Sequence, residues 1–302
     1  MAKMVWDQMA EKFFEGGCSK GVCYTSYDKT NDQYTVGEAW NGVSGFTDNP
    51  SGADEQASYA DNIKYISLRG AENYGGTIKC FWYPDNFRAC LGKKNPVDSS
   101  SAVVKGVTVS QQARETFGFA VTTQVGNDVS GTEAGETIHL VWNATTSPSS
   151  KDYSSLNESP SPSELSFEFA ANPVAIGDGT IYRASANMEI CTVGMSDNDK
   201  AKYEQLKAII YGGDPSYSDT ALSAKPDDWD TATGKSNKYF TRTGSAAPYT
   251  YTPVDFTSTA GTVEFTTGTY YTKLSDNNPC LPSPEYIINT IFQKPVNTVA
   301  AG

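Results

Sequence analysis

Short runs in which apolar and polar side chains alternate recur along the chain and predict β-strands. In the run Glu164–Phe169, Leu165, Phe167 and Phe169 fall on one face, and the residues between them are glutamate or serine. This pattern is typical of a strand with one buried and one solvated face. Turn-forming Gly, Asn and Pro separate the other runs, which are Gln33–Trp40, Asn62–Leu68, Thr77–Tyr83, Glu115–Val125, Thr137–Asn143 and Asn187–Val193. The sequence therefore predicts a mainly β fold, a sandwich or a barrel.

Two segments follow the rules for helices instead. Asp197–Tyr211 carries acidic residues in its first turn, apolar residues at helical spacing and Gly212 directly after it. We expect this helix to cover one side of the sheet. Near the C-terminus Ser283 precedes Pro284, and a proline at the first helical position gives up no hydrogen bond. The sequence predicts a short terminal helix there.

The N-terminal segment is apolar but ambiguous. Val5, Trp6, Met9, Phe13 and Phe14 recur at intervals that suit one face of a helix, and they suit an extended arm equally well. We assign residues 1–36 to an arm and the first strands and residues 37–214 to a β core that contains the helix. Residues 280–302 are assigned to a C-terminal helix and tail that complete this core.

Residues 215–279 differ in composition from the rest of the chain and are predicted to be an inserted, β-rich surface segment. They are rich in Thr, Ser, Tyr, Gly and Asp. Lys238–Thr243 and Gly268–Leu274 are expected to pair as a hairpin, because aromatic side chains stabilise each other across strands. The aromatic residues expected to be exposed on this segment are Tyr239, Tyr249, Tyr251 and Tyr270.

Charge narrows the functional classes. The chain has 23 basic and 35 acidic residues and a net charge of −12, so it lacks the basic surface that nucleic-acid recognition requires. The N-terminus has charged residues among its apolar ones and does not resemble a secretory signal peptide. No run approaches the roughly 20 apolar residues that cross a bilayer. We expect a soluble chain that folds in a cytoplasm.

Catalytic constellations are missing from the sequence, which predicts that the protein is not an enzyme and uses no cofactor. His139 is the only histidine and lies inside an alternating run, where a hydrogen-bonded strand histidine is the simplest interpretation. The sequence has no G-x-S-x-G elbow and no phosphate-binding glycine loop. A two-carboxylate glycosidase stays open on counting alone, because such sites are defined by spacing in three dimensions.

The cysteines and acidic clusters predict neither disulfides nor a metal site. The six cysteines are scattered without a C-x-x-C pair, and we expect buried free thiols. The acidic groups lack the glycine and terminal glutamate of a calcium loop, so we interpret them as solvated turns and helix caps. These groups are Asp197 with Asp199, and Asp227, Asp228 and Asp230.

A series of short segments, in order along most of the chain, carries a family resemblance. The segments are Gly37–Val43, Tyr59–Ile66, Gly76–Ile78, Tyr83–Asp85, Gly118–Phe119, Gly126–Asp128, Ile138–Trp142, Ser147–Ser149, Tyr153–Ser154, Glu158–Pro160, Leu206–Gly212 and Leu281–Glu285. Together they resemble the major tail tube protein of siphovirus-type, long-tailed bacteriophages. The stretch from about Pro215 to Pro279 departs from that pattern, so the resemblance implies nothing about its role.

The resemblance implies a phage tail tube fold, that is, a β-sandwich or barrel-like subunit with one flanking helix. It further implies a structural virion protein whose hexameric rings stack into a hollow tube that conducts the DNA genome into the host, without specific DNA binding. The expected partners are copies of the same chain and other tail proteins: a tape measure in the lumen during assembly, a tail terminator and a distal tail protein. The expected location is the virion tail, after synthesis and assembly in the host cytoplasm.

The same resemblance suggests two contact surfaces. The loop from about Asn41 to Asp61 is the candidate ring-stacking contact, with Asn41, Phe46, Asp48, Pro50, Glu55, Tyr59 and Asp61. The N-terminal arm, with Trp6, Phe13 and Phe14, is a candidate contact to a neighbouring subunit. Two alternatives stay open: the loop is a flexible surface excursion, and the arm folds back onto its own core.

A second function from another class also fits the sequence. A β-sandwich that binds carbohydrate or a cell surface would use loops lined with Tyr and Trp, such as those of residues 215–279.

Overall fold

The computed structural model describes residues 6–52, 55–70, 72–100, 102–104, 106–151, 162–176, 184–213, 216–218, 220–226, 229, 238–244, 249–254, 263–275 and 278–292. The chain is mainly β, as the alternating runs predict. It divides into two compact units. The first unit comprises Met1–Tyr211 and Pro279–Gly302, and the second comprises Gly212–Asn278. The second unit therefore falls where the change of composition places an insertion.

The secondary structure consists of sixteen strands and three short or medium helices within the described residues. The first eleven strands are β1 (Phe14–Asp28), β2 (Gln33–Trp40), β3 (Val43–Asp48), β4 (Ser51–Gly52), β5 (Glu55–Ala60), β6 (Ile63–Arg69), β7 (Glu72–Cys80), β8 (Phe117–Asn127), β9 (Gly131–Thr146), β10 (Leu165–Ala171) and β11 (Asn187–Cys191). The last five are β12 (Ser216–Tyr217), β13 (Tyr239–Thr243), β14 (Thr250–Pro253), β15 (Tyr270–Ser275) and β16 (Leu281–Pro282). The helices are α1 (Phe87–Cys90), α2 (Asp197–Tyr211) and α3 (Pro284–Tyr286), which continues as a π-helical turn, Ile287–Ile291.

One antiparallel sheet organises the first unit. Its strand order is β16-β2-β1-β8-β9-β10-β7-β3, with β11 added to β9 and β4 to β7. The sheet curls until β3, at the end of this order, packs against β1: the Phe46 backbone N–H donates to the Cys18 sulfur, and Gly21 faces Val43. A side chain at Gly21 would lie only 2.8 Å from the Val43 methyl. This part of the unit is therefore barrel-like.

The inner face of the curled sheet carries an aromatic core. Alternation along β8 and β10 directs Phe119 and Phe167 inward, where they meet Trp40 and Phe87. The Trp40 and Phe87 rings are centred 4.4 Å apart, and the Trp40 indole N–H donates to the Trp82 carbonyl at 2.8 Å. Each such buried aromatic side chain stabilises the fold by about 1.5–3 kcal/mol through removal of apolar surface from water.

Helix α2 and the C-terminal segment cover the outer face. Ser196 caps α2 by accepting from the Asp199 N–H, and Gly212 follows the helix with a φ of 73°. The apolar stripe of α2 packs on strand residues such as Leu140 and Ile138. At α3, the Ser283 hydroxyl accepts from the Tyr286 N–H at 3.2 Å, which confirms the predicted helix start.

The second unit has its own four-stranded sheet, ordered β12-β15-β13-β14. β13 and β15 pair antiparallel, which confirms that Lys238–Thr243 pairs with Gly268–Leu274. The two strands do not form the predicted hairpin, because β14 lies between them in the chain and pairs with the other edge of β13. Its small core surrounds Trp229. Within the described part of the chain, this core is built from residues of the second unit alone.

Several boundaries differ from the sequence prediction. The expectation that Asn41–Asp61 is a loop is wrong, because this segment contains β3, β4 and β5. Strand β7 ends at Cys80 rather than at Tyr83. The described residues 6–13 form no helix, and they include a turn in which the Glu11 N–H donates to the Gln8 carbonyl at 3.2 Å. No described helix has the length and apolar content to cross a membrane.

Candidate functional site

The hairpin of β5 and β6 exposes several large apolar side chains of the first unit. Within the described residues the two strands pair only with each other, from Glu55 opposite Arg69 to Ala60 opposite Ile63. Asp61 and Asn62 form the turn with φ values of 51° and 63°. Two successive left-handed residues define the tight turn that matches the twist of a hairpin, and Asp and Asn tolerate this conformation well. The sequence therefore builds a narrow two-stranded projection.

The described side chains of this hairpin are almost all exposed, including five large apolar ones. They are Tyr59 (71% exposed), Ile63 (63%), Tyr65 (74%), Ile66 (46%) and Leu68 (59%). Glu55 is a polar anchor between the strands, because Lys64 and Ser67 both donate to its carboxylate and hold its pKa below the ordinary value. A two-stranded hairpin with no further partner is marginally stable in water.

Of the candidate stacking residues, the structure places Glu55, Tyr59 and Asp61 on this hairpin. Asn41 and Pro50 are exposed elsewhere on the first unit. Phe46 differs from the expectation: it is half-buried, and its ring is centred 5.7 Å from that of Phe119. It belongs to the core of its own unit. Asp48 ends β3 and accepts a hydrogen bond from the Tyr74 hydroxyl.

The N-terminal arm is exposed along its described length. Trp6 and Met9 are 75% and 80% exposed, and Phe13 and Phe14 are about half exposed. The arm is attached through Ala10, whose N–H donates to Asp128 at 2.9 Å and whose carbonyl accepts from the Asn127 side chain at 3.2 Å. Its aromatic residues are thus held on the surface and not in the core of the same chain.

The aromatic residues of the second unit serve mainly its own core. Tyr239 and Tyr270 are buried beside Trp229, with ring centres 5.0 and 4.7 Å from the indole. The expectation that these two tyrosines are exposed is wrong, because a small sheet with few large apolar residues needs them as its core. Tyr249 is exposed, and Tyr251 is half-buried.

The positively charged side chain of Arg242 lies among the remaining aromatic residues of the second unit. The Arg242 guanidinium is 4.2 Å from the centre of the Tyr249 ring and 4.4 Å from that of Tyr271. Its contact with these rings holds the side chain over them and is typical of a cation–π interaction. One face of the Tyr249 ring is therefore already used within the unit.

His139 lies on the inner face of β9, at one end of the curled sheet, and is a hydrogen-bonded strand histidine. Its Nε2 is 3.0 Å from a Glu15 carboxylate oxygen and 3.0 Å from the Thr123 hydroxyl. Burial alone would raise the pKa of Glu15, but hydrogen bonds from Thr123 and His139 bring it below the ordinary value. The three residues come from β1, β8 and β9.

The fold also brings Asp48 and Glu189 to the other side of the imidazole. Glu189 is directly opposite His139 in the pairing of β11 with β9, and its carboxylate is 3.6 Å from Nδ1. One ligand atom each of Asp48, His139 and Glu189 lie within 4.8 Å of one another. Sequence reasoning missed this group, because its members are far apart along the chain and share no motif.

The cysteines are free thiols, and their burial is mixed. Cys23, Cys80 and Cys90 are buried as expected, Cys18 and Cys280 are half-buried, and Cys191 is exposed. Burial raises the pKa of the Cys18 and Cys280 thiols. Asp197 and Asp199 lie in the first turn of α2, where Asp199 pairs with the capping Ser196, as expected for helix caps. Asp227, Asp228 and Asp230 lie outside the described residues.

Comparisons with known proteins do not assign the chain to a family. No protein-family model matches the sequence, and no curated protein matches it. Among solved structures, the chain is similar to one chain of the cryo-EM structure of an extracellular contractile injection system, the PVC sheath-tube complex in the extended state. That match has 13% sequence identity and a TM-score of 0.25, and it covers 57% of this chain and 89% of the other. A similarity at this level carries no argument about function.

Proposed function

We propose that this chain is a non-enzymatic structural subunit of a phage tail tube, which associates with copies of itself. In this proposal hexameric rings stack into a hollow tube that conducts DNA, in a virion tail assembled in the host cytoplasm. The family resemblance of the sequence supports the kind of assembly. The exposed hairpin of β5 and β6 supports the association itself and is the observation on which the proposal depends.

The physical argument starts from the exposed apolar side chains of that hairpin. Burying a side chain such as Leu68 or Ile63 gains about 1.5–3 kcal/mol, so five of them leave a large free energy available to a partner. Both outer edges of the hairpin also carry backbone groups that no described strand pairs. A second copy of the chain in the next ring would bury the apolar side chains and shield these edges.

The N-terminal arm provides a second surface for the same purpose. Its tether at Ala10 fixes the base, while Trp6 and Met9 extend from it into solvent. Contact with a neighbouring subunit of the same ring would bury them. Ring closure would thus use the arm, and ring stacking would use the hairpin.

The net charge suits the passage of DNA. A subunit with a charge of −12 repels phosphate, so a lumen with the same sign avoids the many basic contacts that hold DNA in place. Tape measure, tail terminator and distal tail proteins would contact the lumen and the ends of such a tube.

The direct test is electron microscopy of the concentrated, purified chain, for which we expect regular tubes or six-fold rings. The variant Tyr59→Ser/Ile63→Ser/Leu68→Ser should fold, with an unchanged circular dichroism spectrum, and should form no tubes. The matched control Val97→Ser/Val103→Ser/Val109→Ser removes three valines of 48–61% exposure outside the hairpin and should assemble normally.

Protein that stays monomeric at high concentration and binds glycans on an array would refute the tube proposal and support the carbohydrate-binding alternative. Tubes from the hairpin variant that equal those of the natural chain would assign the stacking contact to another surface.

A further inference from the structure

The protonation of His139 follows from its neighbours on one side of the ring. The Glu15 carboxylate can only accept a hydrogen bond, and it lies 3.0 Å from Nε2. Nε2 therefore carries the proton. In the neutral imidazole the other nitrogen, Nδ1, then presents a lone pair.

The lone pair on Nδ1 faces a carboxylate, which is another hydrogen-bond acceptor. Nδ1 is shielded from solvent and has no hydrogen-bond partner among the described residues, and His139 as a whole is only 9% exposed. A Glu189 carboxylate oxygen lies 3.6 Å from it. A lone pair and a carboxylate repel each other, so a buried acceptor is left without the donor or cation that would satisfy it. A cation between them removes this conflict.

We propose that Asp48, His139 and Glu189 form a binding site for a divalent transition-metal cation, with Zn²⁺ as the representative ion. His139 Nδ1 and one carboxylate oxygen from each acidic residue are the ligands, and they already lie within 4.8 Å of one another. Imidazole nitrogen and carboxylate oxygen bind Zn²⁺ at about 2.0–2.2 Å, so small side-chain movements complete the site. Water takes the remaining position.

Two neighbours have the geometry of supports for these ligands. Glu15 accepts a hydrogen bond from the Nε2–H of His139, and carboxylates behind many metal-bound histidines accept in the same way and fix the ring and its tautomer. Tyr74 donates to Asp48 from a half-buried position and orients that carboxylate. Glu15 and Tyr74 are thus positioning residues and not ligands.

The site is open to solvent on its acidic side. Asp48 is exposed, and the Glu189 side chain is 53% exposed. A cleft of about 450 Å³ reaches the imidazole and Asp48 from the side of Glu15 and Thr123, and Glu189 is not part of its lining. A hydrated cation therefore reaches the site through the two exposed carboxylates.

Two of the ligands come from the paired strands β9 and β11, and the third comes from β3 at the end of the sheet order. Asp48 ends β3, Glu189 lies on β11 and His139 lies on β9. A bound cation would hold the free edge strand β3 to β9 and β11. Since the chain leaves β3 towards the β5–β6 hairpin, the cation would also stabilise the base of that projection. Cation binding at this site does not depend on the proposed function.

The test uses the full chain, purified without a histidine tag and stripped with a chelator. Isothermal titration with ZnCl₂ should give one equivalent per chain, and Zn²⁺ should raise the thermal unfolding midpoint. Glu189→Gln and Asp48→Asn should weaken the affinity at least about 10-fold, and Glu15→Gln about 10–100-fold with the stoichiometry retained. Glu168→Gln, an exposed glutamate on β10, is the matched control and should bind as the natural chain does.

Because His139 is the only histidine, its ring nitrogens give a unique signal in ¹⁵N-histidine NMR. Zn²⁺ should move the Nδ1 resonance and leave Nε2 protonated. If the ring resonances do not change when Zn²⁺ is added, and Nδ1 changes only by gaining a proton at low pH, the proposal is overturned. His139 would then be an imidazolium between Glu15 and Glu189. Binding that survives Glu189→Gln but is lost in Cys18→Ser or Cys191→Ser would overturn it in favour of a thiol site.

Discussion

The phenol of Tyr24 donates a hydrogen bond of 2.6 Å to the carbonyl oxygen of Ile210. Tyr24 lies in the middle of β1, and Ile210 belongs to the last turn of α2, where backbone carbonyls have no partner within the helix. Both residues are fully buried. One side chain of the sheet therefore satisfies the end of the helix that covers it.

The variant Tyr24→Phe removes only this donor and leaves the Ile210 carbonyl buried and unpaired. We expect the free energy of unfolding to fall by about 1–3 kcal/mol. Chemical denaturation followed by tryptophan fluorescence measures the change. Tyr27→Phe, which loses a hydrogen bond to Asp32 on the surface, is the matched control and should stay within about 0.5 kcal/mol. Equal effects of the two variants would contradict the role given to Tyr24.

Glu136 and Lys207 join β9 to α2 by a partly buried ion pair, with both side chains less than a quarter exposed. Burial raises the pKa of Glu136, but the hydrogen bond and charge of Lys207 bring it below the ordinary value for a glutamate. Burial lowers the pKa of Lys207, but its bonds to Glu136 and Glu204 bring it above the ordinary value for a lysine. The pair therefore stabilises the fold at pH values between the pKa of Glu136 and the pKa of Lys207. It loses this contribution as pH falls through the lowered pKa of Glu136.

Glu136→Gln should accordingly cost about 1 kcal/mol at neutral pH. The difference from the natural chain should vanish once the pH has fallen below the lowered pKa of Glu136, where the carboxyl is protonated and resembles the amide. Unfolding curves at a series of pH values test this. Glu204→Gln, which touches Lys207 from a more exposed position, should change stability by only a few tenths of a kcal/mol. A Glu136→Gln effect that persists in acid would exclude the ion pair as its cause.

Gly76 lies where three strands meet and has no room for a side chain. A Cβ there would be 2.2 Å from the Thr47 carbonyl oxygen and 2.9 Å from the Phe169 ring. Gly76→Ala should push β3 away from β7 and lower the free energy of unfolding by about 1–3 kcal/mol. Gly70→Ala, with nothing within 4 Å, should be nearly neutral. The urea concentrations at the unfolding midpoints of both variants test this. A Gly76→Ala variant as stable as the natural chain would show that β3 moves away from β7 at little cost in free energy.

The second unit should be removable. The Cys280 N–H donates to the Ile209 carbonyl at 3.1 Å, so the chain leaves the first unit and returns to it at neighbouring points. Replacing residues 213–278 by a short glycine bridge should leave both cores of the first unit intact. We expect a folded protein by circular dichroism that still assembles, into narrower tubes by electron microscopy. An insoluble product would show that the first unit depends on the insertion.

Local patterns predict most of the secondary structure, because each pattern acts within a few residues. Helix α2 begins and ends at the predicted residues, since its acidic first turn and Gly212 are local signals. Strand β2 likewise matches its predicted bounds. The segment Asn41–Asp61 is harder to predict. Its Gly, Asn and Pro residues are typical of turns, and its pairing partners, β6 and β7, come later in the chain.

Burial of individual side chains could not be predicted, because it depends on what else is near. Tyr239 and Tyr249 occur in similar local sequence, yet one is buried beside Trp229 and the other is exposed beside Arg242. Phe46 is drawn into the core by Phe119, which lies far along the chain.

The sequence by itself determined the β class, the helix α2, the separate composition of the second unit and the absence of any familiar catalytic motif, since all of these depend on residue type and local spacing. Only the tertiary structure decided that the β5–β6 hairpin stands free with its apolar side chains exposed, and that Asp48, His139 and Glu189 meet. These features arise from strand pairings between distant residues, and such pairings depend on the packing of the whole sheet.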